Sequence, residues 1–269
     1  MEERDVYIEN FSQSGREDLE DLEFSPNIGA VGIGAFYACP NLRRVSLNKN
    51  LNYISPLAFA ACPSLKEIAA DSNIIEFAPS ALAQNLSQDQ DARRFAKEVL
   101  LKNFSYKSEN GILYNAKWRS LLFAETKDLR SLAFPRAARA VGWFSFDGCA
   151  LLEELDIPQT VEWIGERAFS NCSSLKKVTL TKSVRQIEQA AFMNCRSLEE
   201  FKIPKGVERI EAFTFSGCEN LREVEIPSSV KHIEENAFEF CPRLEKVTVS
   251  KWCQVEDGAF DKGVEIHKI

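Results

Sequence analysis

Apolar and polar residues follow a repeating order along this chain, with a period of 23 residues that we call one coil. A representative coil reads Leu175-x-x-Val178-x-Leu180, then Val184-x-x-Ile187, then Ala191-Phe192-x-x-Cys195. Seven of the eight cysteines keep this period within two groups, and they are Cys39, Cys62, Cys149, Cys172, Cys195, Cys218 and Cys241. A constant internal period of this length predicts a fold built from stacked repeats.

Each part of the coil has its own predicted conformation. In the segment around Val178 apolar and polar residues alternate, which predicts a strand with one buried face that we call strand 1. The segment that ends at Ile187 predicts a second short strand, strand 2. The Ala-Phe-x-x-Cys segment predicts a tight helical turn that closes the coil. Proline follows strand 1 in several coils, where a residue without an N–H group ends a ladder of hydrogen bonds.

A single coil has no hydrophobic centre of its own, so its apolar positions must be buried against the next coil. We therefore predict a repeat solenoid, mostly β with short helical turns, that is elongated and curved and carries a ladder of parallel strands. The phenylalanines of successive coils are expected to form one continuous stack. Roughly ten coils fit the chain, and a degenerate first coil is predicted to begin near residue 17.

The repeat is interrupted once. We predict N-terminal coils with a cap over residues 1–86, an inserted helix and β-hairpin over 87–128, and C-terminal coils over 129–269. The helix is predicted because Ser87-Gln-Asp-Gln90 matches a capping box and an apolar stripe follows it. The hairpin is predicted because Gly111-Ile-Leu-Tyr114 and Trp118-Arg-Ser-Leu-Leu-Phe123 flank a short polar link.

The run Ile164-Gly-Glu-Arg-Ala-Phe169-Ser-Asn-Cys172-Ser-Ser-Leu175 resembles the BspA-like leucine-rich repeats, and the resemblance covers nearly the whole chain apart from the insertion. It implies an array without enzyme activity, of a kind associated with adhesion to host or extracellular-matrix proteins and with cell–cell contact. Members also occur inside eukaryotic cells. The resemblance therefore implies a cell-surface or secreted protein if a leader has been removed, and a cytoplasmic one if Met1 is the native start.

Net charge and hydrophobicity limit the classes of partner that we expect. The formal net charge is −7, and no long run of one sign occurs, which argues against nucleic acid as a partner. Nowhere do eighteen apolar residues follow one another, so membrane insertion is not expected either. We expect a monomer that binds a protein ligand.

The chemistry-bearing residues favour structural roles. Cysteines 23 residues apart lack the paired spacing of zinc ligands, so we expect buried free thiols and no metal or cofactor. Cys253 lies outside the common register and is predicted to be the one reactive thiol. The two histidines, His232 and His267, have no nucleophile predicted beside them, because Cys241 should be buried. We predict no catalytic residues and no enzyme.

Candidate binding residues are the exposed strand 1 positions on either side of the core residue, which line up in two columns from coil to coil. Those we select are Lys177, Glu200, Lys202, Glu223, Glu225 and Lys246. We call these six residues the strand 1 face. Neighbours of opposite sign in a column also fit a solvated, self-compensating surface, so the recognition and solubility interpretations both stay open.

Two tryptophans are further candidates, because tryptophan is enriched at binding hot spots. Trp163 stands where other coils have Gln186, Arg209 and His232, and Trp143 lies one coil earlier. The alternative is that the insertion covers both rings. The sequence thus predicts a non-catalytic binding scaffold or adhesion module, with a structural spacer in a larger surface protein, or an intracellular scaffold, as the alternatives.

Overall fold

The computed structural model describes most of the coils. The described residues are 6–55, 57–70, 76–77, 82, 97–98, 101, 106–109, 112–115, 120–124, 128–135 and 138–269. The chain divides into two compact units, the first comprising Met1–Glu109 with Asn115–Lys117 and the second comprising Asn110–Tyr114 with Trp118–Ile269. Parallel-strand coils, about nine in all where roughly ten were predicted, build both units.

Up to residue 77, the strands of the first unit alternate between two ladders. They are β1 (Val6–Ile8), β2 (Asp21–Glu23), β3 (Ile28–Val31), β4 (Arg44–Leu47), β5 (Tyr53–Ile54), β6 (Glu67–Ala70) and β7 (Glu76–Phe77). The unit also contains β8 (Tyr106–Glu109). Strand 1 segments form the sheet β2-β4-β6, and strand 2 segments form the sheet β1-β3-β5-β7. Both ladders are parallel, and Val45 pairs with Ile68 one coil later.

The second unit also has two sets of parallel strands. Its strands are β9 (Ile112–Asn115), β10 (Ser120–Ala124), β11 (Ala140–Val141), β12 (Glu154–Asp156), β13 (Trp163–Ile164), β14 (Lys177–Thr179), β15 (Gln186–Ile187), β16 (Glu200–Lys202), β17 (Arg209–Ile210), β18 (Glu223–Glu225), β19 (His232–Ile233), β20 (Lys246–Val249), β21 (Gln254–Val255) and β22 (Glu265–Lys268). Strand 1 segments pair as β12-β14, β16-β18 and β20-β22. Strand 2 segments continue through β10-β11-β13-β15 and β17-β19-β21.

The coils are closed by turns that are not helical, which differs from the prediction. Among the described coils that contain a cysteine, one left-handed residue precedes the pair that ends in the stacked phenylalanine and a second precedes the cysteine, as at Arg167 and Asn171 with φ of 52° and 59°. This backbone directs N–H groups outward along the stack, so that Phe169 donates to Ala191 O at 2.8 Å and Asn171 to Met193 O at 2.7 Å. A helical turn would satisfy those groups inside the coil. The closing segment therefore adds a third ladder between coils.

Phenylalanines form the centre of the stack, as predicted. In the second unit the rings of Phe146, Phe169, Phe192, Phe215, Phe238 and Phe260 follow one another at centroid distances of 4.8 to 5.8 Å and within 11° of parallel. In the first unit Phe36 and Phe59 stack at 5.6 Å. Leucine, isoleucine and valine from both strands surround the rings. The repeat thus buries a continuous core that no single coil contains.

The chain enters the stack earlier than predicted. Val6–Ile8 is already a strand 2 segment paired with β3, and the turn after it donates Phe11 N to Ile33 O at 2.9 Å. The first coil therefore begins by Val6 and not near residue 17. This partial coil is hard to recognise because Ser12, Gln13 and Arg16 stand where the next coil has Ala35, Phe36 and Cys39.

The predicted insertion is described in part. Lys97, Glu98 and Leu101 are helical, and most of the segment predicted as a helix, including 87–96, lies outside the described residues. The strands predicted for the hairpin occur as β9 and β10, which are neighbours in one sheet. The domain boundaries proposed from the sequence stay a prediction.

Candidate functional site

The six residues of the strand 1 face lie on the outer side of four successive strand 1 segments, which are β14, β16, β18 and β20. Each is exposed, whereas Phe201, Val224 and Val247, which lie between them along the strands, are buried. This alternation follows from the pleat, which directs successive side chains to opposite faces. The structure therefore brings these residues onto one surface of the second unit, as the periodicity predicted.

Charges on this surface are only partly compensated. Lys202 Nζ lies 2.5 Å from Glu225 Oε2, which is an ion pair between neighbouring coils. Lys177 is in register with Glu154, which has the opposite charge. Glu200, by contrast, is in register with Glu223, so that two carboxylates stand side by side on adjacent parallel strands. Like charges directly opposite each other destabilise a strand pair, by roughly 0.2–1 kcal/mol.

Elsewhere in the second unit ion pairs between coils are frequent. Lys176 and Glu153 contact each other at 2.8 Å, Lys231 and Glu208 at 3.0 Å, and Arg139 and Glu162 at 3.4 Å. A hydrogen bond from Lys176 lowers the pKa of Glu153, although both side chains are exposed. Compensation is thus common between coils, and the Glu200 and Glu223 pair departs from it.

The two candidate tryptophans make contacts within the chain. Trp163 is half-buried, and its indole N–H donates to Glu188 Oε1 at 2.8 Å. Trp143 is also half-buried and lies over Gly165, where an added Cβ would come within 2.5 Å of the ring atom Cδ1. Both rings therefore contribute to packing between coils. Their proposed role in one apolar binding spot stays a prediction.

A set of glutamates that sequence reasoning missed holds neighbouring coils together. Glu188, Glu234 and Glu256 each follow strand 2 directly and each accept two hydrogen bonds from the preceding coil. One bond comes from a side chain, as from Arg209 Nη1 to Glu234 at 2.8 Å, and the other from a backbone N–H group, as from Ala212 at 3.0 Å. The repeated apolar-Glu dipeptide at the end of strand 2 was the available signal.

Glu166, beside this set, is ionised at a cost. Burial raises the pKa of its carboxyl group, and the charge of Glu188 adds to the rise while Arg167 opposes it. A carboxyl group whose pKa is raised in the folded state contributes stability below its unfolded pKa, and this is lost as the pH rises through the folded value. We expect Glu166→Gln to be more stable than the wild type at pH 7 and to lose that advantage toward pH 4, measured by urea unfolding. An advantage that grows on acidification would contradict this.

The cysteines form a ladder of thiol hydrogen bonds. Cys172, Cys195 and Cys218 donate to the carbonyl oxygens of phenylalanines 26 residues earlier, at 3.3 to 3.4 Å. All eight cysteines are buried as thiols. Burial raises the pKa of Cys62 and of Cys241 to about 12. The thiol is thus both a small filler and a donor for a buried carbonyl group.

Cys253 does not have the reactivity predicted from its position outside the register. It is buried, and burial raises the pKa of its thiol as well. The loop after β20 folds back toward the core at this point, with Cys253 N donating to Ser250 O at 2.8 Å. Nucleophilic attack needs an accessible thiolate, which this environment disfavours.

We therefore expect the native thiols to be inert. Folded protein at pH 8 should react slowly with a thiol-specific disulfide reagent, because each thiol is buried, whereas denatured protein should release the signal of all eight cysteines. Thr248→Cys, at an exposed strand position, provides the control and should react at once. Rapid labelling of several native cysteines would show that the core of the stacked coils is accessible to the reagent.

Within the described residues, no group of three or more His, Cys, Asp and Glu side chains is arranged to hold a metal ion. The described part of the chain also has no helix with the length and apolar character to cross a bilayer.

Comparisons with known structures place this fold among bacterial repeat proteins. The chain is similar to a leucine-rich cell surface protein from Faecalibacterium prausnitzii, with 22% identity and a TM-score of 0.54 over 93% of this chain and 60% of that one. It is similar to the pneumococcal vaccine antigen PcpA, with 18% identity and a TM-score of 0.57 over 98% of this chain and 71% of that one. A leucine-rich repeat protein from Eubacterium ventriosum shows 22% identity and a TM-score of 0.51 over 97% of this chain and 68% of that one.

At these identities the likeness concerns the fold alone, and the chain spans 60% of the length of the first of these proteins. No curated protein matches the sequence. The model of the BspA type leucine rich repeat region matches residues 4–90, 119–208 and 185–269, in six copies. With its 23-residue coils, stacked phenylalanines and buried cysteines, the chain belongs to the BspA type leucine-rich repeat family.

Proposed function

We propose that this protein is a non-catalytic scaffold that binds another protein through the strand 1 face. The observation that supports the proposal is the charge of the exposed columns. Their residues vary in charge from coil to coil, while the strand residues between them are buried. Compensation of charge between neighbouring coils is absent where Glu200 and Glu223 stand in register. A repeat array can vary one residue per coil on such a surface without disturbing its core.

The two carboxylates favour a partner that supplies positive charge. Both are exposed, so their mutual repulsion is tolerated in the free protein, and a lysine or arginine from a partner would relieve it on binding. The solved relatives support a surface location for such binding, because one of them is described as a cell surface protein. Leucine-rich repeat proteins also generally mediate protein interactions.

Binding can be measured by surface plasmon resonance against a panel of purified extracellular-matrix proteins. We expect the wild type to bind at least one member, and Glu200→Gln/Glu223→Gln to bind it about tenfold more weakly, since each exposed charge pair contributes up to ~1 kcal/mol. Glu153→Gln/Glu162→Gln is the matched control, because it removes two exposed glutamates that already have partners within the chain. Absence of binding to the whole panel, or equal binding by both variants, would contradict the proposal.

A structural spacer is the second candidate. It is favoured by the ion pairs between coils, such as Lys202 with Glu225, which compensate much of the exposed charge without any partner. A spacer would bind no member of the panel, and its surface variants would differ only in solubility. The same measurement therefore separates the two functions.

A further inference from the structure

An open cleft of about 450 Å³ lies beside one end of the strand 1 face. It is lined by Arg222, Pro242, Arg243, Glu245 and Lys246. Arg222 immediately precedes β18, Lys246 begins β20, and Pro242 and Arg243 belong to the link that leads into β20. The cleft is thus formed by two successive coils, with the ring of Pro242 restricting the backbone of its wall.

The charge of this cleft is opposite to that of the protein. Three cationic side chains and one carboxylate line it, although the chain as a whole carries a net charge of −7. The three cations, Arg222, Arg243 and Lys246, are all exposed. Positive potential is therefore concentrated at one place on an acidic molecule.

These cations lack the ion pairs that several others in the second unit make. Arg139, Lys176, Arg196, Lys202, Arg209 and Lys231 each contact a glutamate of a neighbouring coil within 3.4 Å. Lys177, Lys182, Arg185 and Lys205 also make no ion pair within residues 138–269, so the cleft is distinguished by having three such cations in its lining. For Arg222, Arg243 and Lys246, no carboxylate among residues 138–269 lies within 4.0 Å. Three cations that have no carboxylate partner among residues 138–269 thus line a single cleft.

The chemistry of these groups selects the ligand. A guanidinium group presents N–H donors in a planar fork that matches the two oxygens of a carboxylate, and Lys246 adds a point charge beside it. Glu245 in the same wall carries negative charge, which favours the spaced carboxylates of a peptide over the denser charge of a sulfated glycan.

We propose that this cleft binds a carboxylate group presented by an acidic segment of a partner polypeptide. The inference rests on the proposed protein-binding function and names the group that the partner presents at the β20 end of the strand 1 face. Together with the carboxylates of Glu200 and Glu223, the cleft makes this surface bipolar, so that a partner segment with acidic and basic residues would bind in one orientation.

The test uses the full chain and a fluorescein-labelled hexaglutamate peptide, followed by fluorescence anisotropy at low salt. The wild type is expected to bind, and Arg222→Gln/Arg243→Gln to bind about tenfold more weakly, because two charge-assisted contacts are lost. Lys176→Gln/Lys231→Gln is the matched control, since it removes two cations that are already paired, and it should bind like the wild type. Circular dichroism melting establishes that the variants are folded.

Two further arms identify the source of the carboxylate. Free glutamate at an equal carboxylate concentration should compete weakly, and equal competition would overturn the assignment to a polypeptide segment. A heparin fragment that competes better than the peptide would overturn it in favour of a sulfated glycan. Equal binding of hexaglutamate by the cleft variant and the control would also refute it.

Failure of this inference is distinguishable from failure of the proposed function. If hexaglutamate does not bind while the matrix-protein panel still yields a partner sensitive to Glu200 and Glu223, the cleft assignment alone is wrong. If hexaglutamate binds through Arg222 and Arg243 while no protein in the panel binds, the cleft takes carboxylates but the protein-binding proposal fails.

Discussion

Phe192→Ala is expected to lower the free energy of unfolding by roughly 3–5 kcal/mol, through lost burial and the cavity that remains. Phe192 is fully buried between Phe169 and Phe215, at centroid distances of 5.5 and 5.8 Å. Phe201 of β16 packs against the same ring at 5.0 Å. The cavity would therefore open in the middle of the stack, where coils on both sides are held in place and cannot collapse into it.

Phe240→Ala is the matched control for this change, because its ring is 63% exposed. Urea unfolding followed by circular dichroism should place this variant close to the wild type and Phe192→Ala far below it. Since the stability of a repeat array is a sum of coil and neighbour contributions, hydrogen exchange should accelerate most in the coils that flank residue 192. A uniform small effect, or equal losses in the two variants, would be inconsistent with a continuous phenylalanine core.

The core could be predicted from the sequence because burial acts on each coil in the same way. Every interior coil meets an identical neighbour, so the same side-chain size is required at the positions of Phe169, Phe192 and Phe215. The same packing requirement in each coil therefore gives the sequence its 23-residue pattern. The partial coil at Val6–Ile8 escaped prediction because it departs from this pattern, with Ser12, Gln13 and Arg16 in place of the alanine, phenylalanine and cysteine.

The closing turns could not be predicted in the same way. The residues that take left-handed φ before the pair ending in the stacked phenylalanine share no type, as Arg167, Ala190 and Phe213 illustrate. For a residue other than glycine this conformation costs of order 1–3 kcal/mol and persists only when its surroundings enforce it. Here hydrogen bonds to the next coil, such as Arg167 N to Gln189 O at 3.1 Å, hold the conformation. The turn is therefore a property of the stack and not of its residues.

The candidate site was predictable only in outline. Alternation along strand 1 places Glu200 and Glu223 outside, but it does not show that the link before β20 brings Arg243 beside Arg222 and Lys246. The role of Trp163 was similarly hidden, because its partner, Glu188, lies in the next coil. Such contacts join different repeat positions in neighbouring coils, and they depend on the path of the backbone from one coil to the next. The 23-residue pattern describes the positions within one coil and does not show this path.

Gly165→Ala is expected to destabilise the protein by about 1–3 kcal/mol, the usual range for an overpacked site. The repeat pattern alone suggests that a larger residue is tolerated, because the following coils have Glu188, Glu211, Glu234 and Glu256 at this position. Exchange of glycine for alanine in an unstrained backbone also stabilises most proteins. At Gly165, however, the new Cβ would lie 2.5 Å from Trp143 Cδ1 and 2.9 Å from Trp143 N.

The cause can be isolated with a double-mutant cycle, since residues in contact show non-additive effects. In a Trp143→Ala background the ring contact is absent and only the approach to the backbone remains, so Gly165→Ala should cost less there than in the wild type. Both costs are measured as shifts of the urea midpoint at constant slope. A stabilising effect of Gly165→Ala, or equal costs in the two backgrounds, would mean that Trp143 does not occupy the space over Gly165. The indole would then be free to serve the binding spot for which the sequence first selected it.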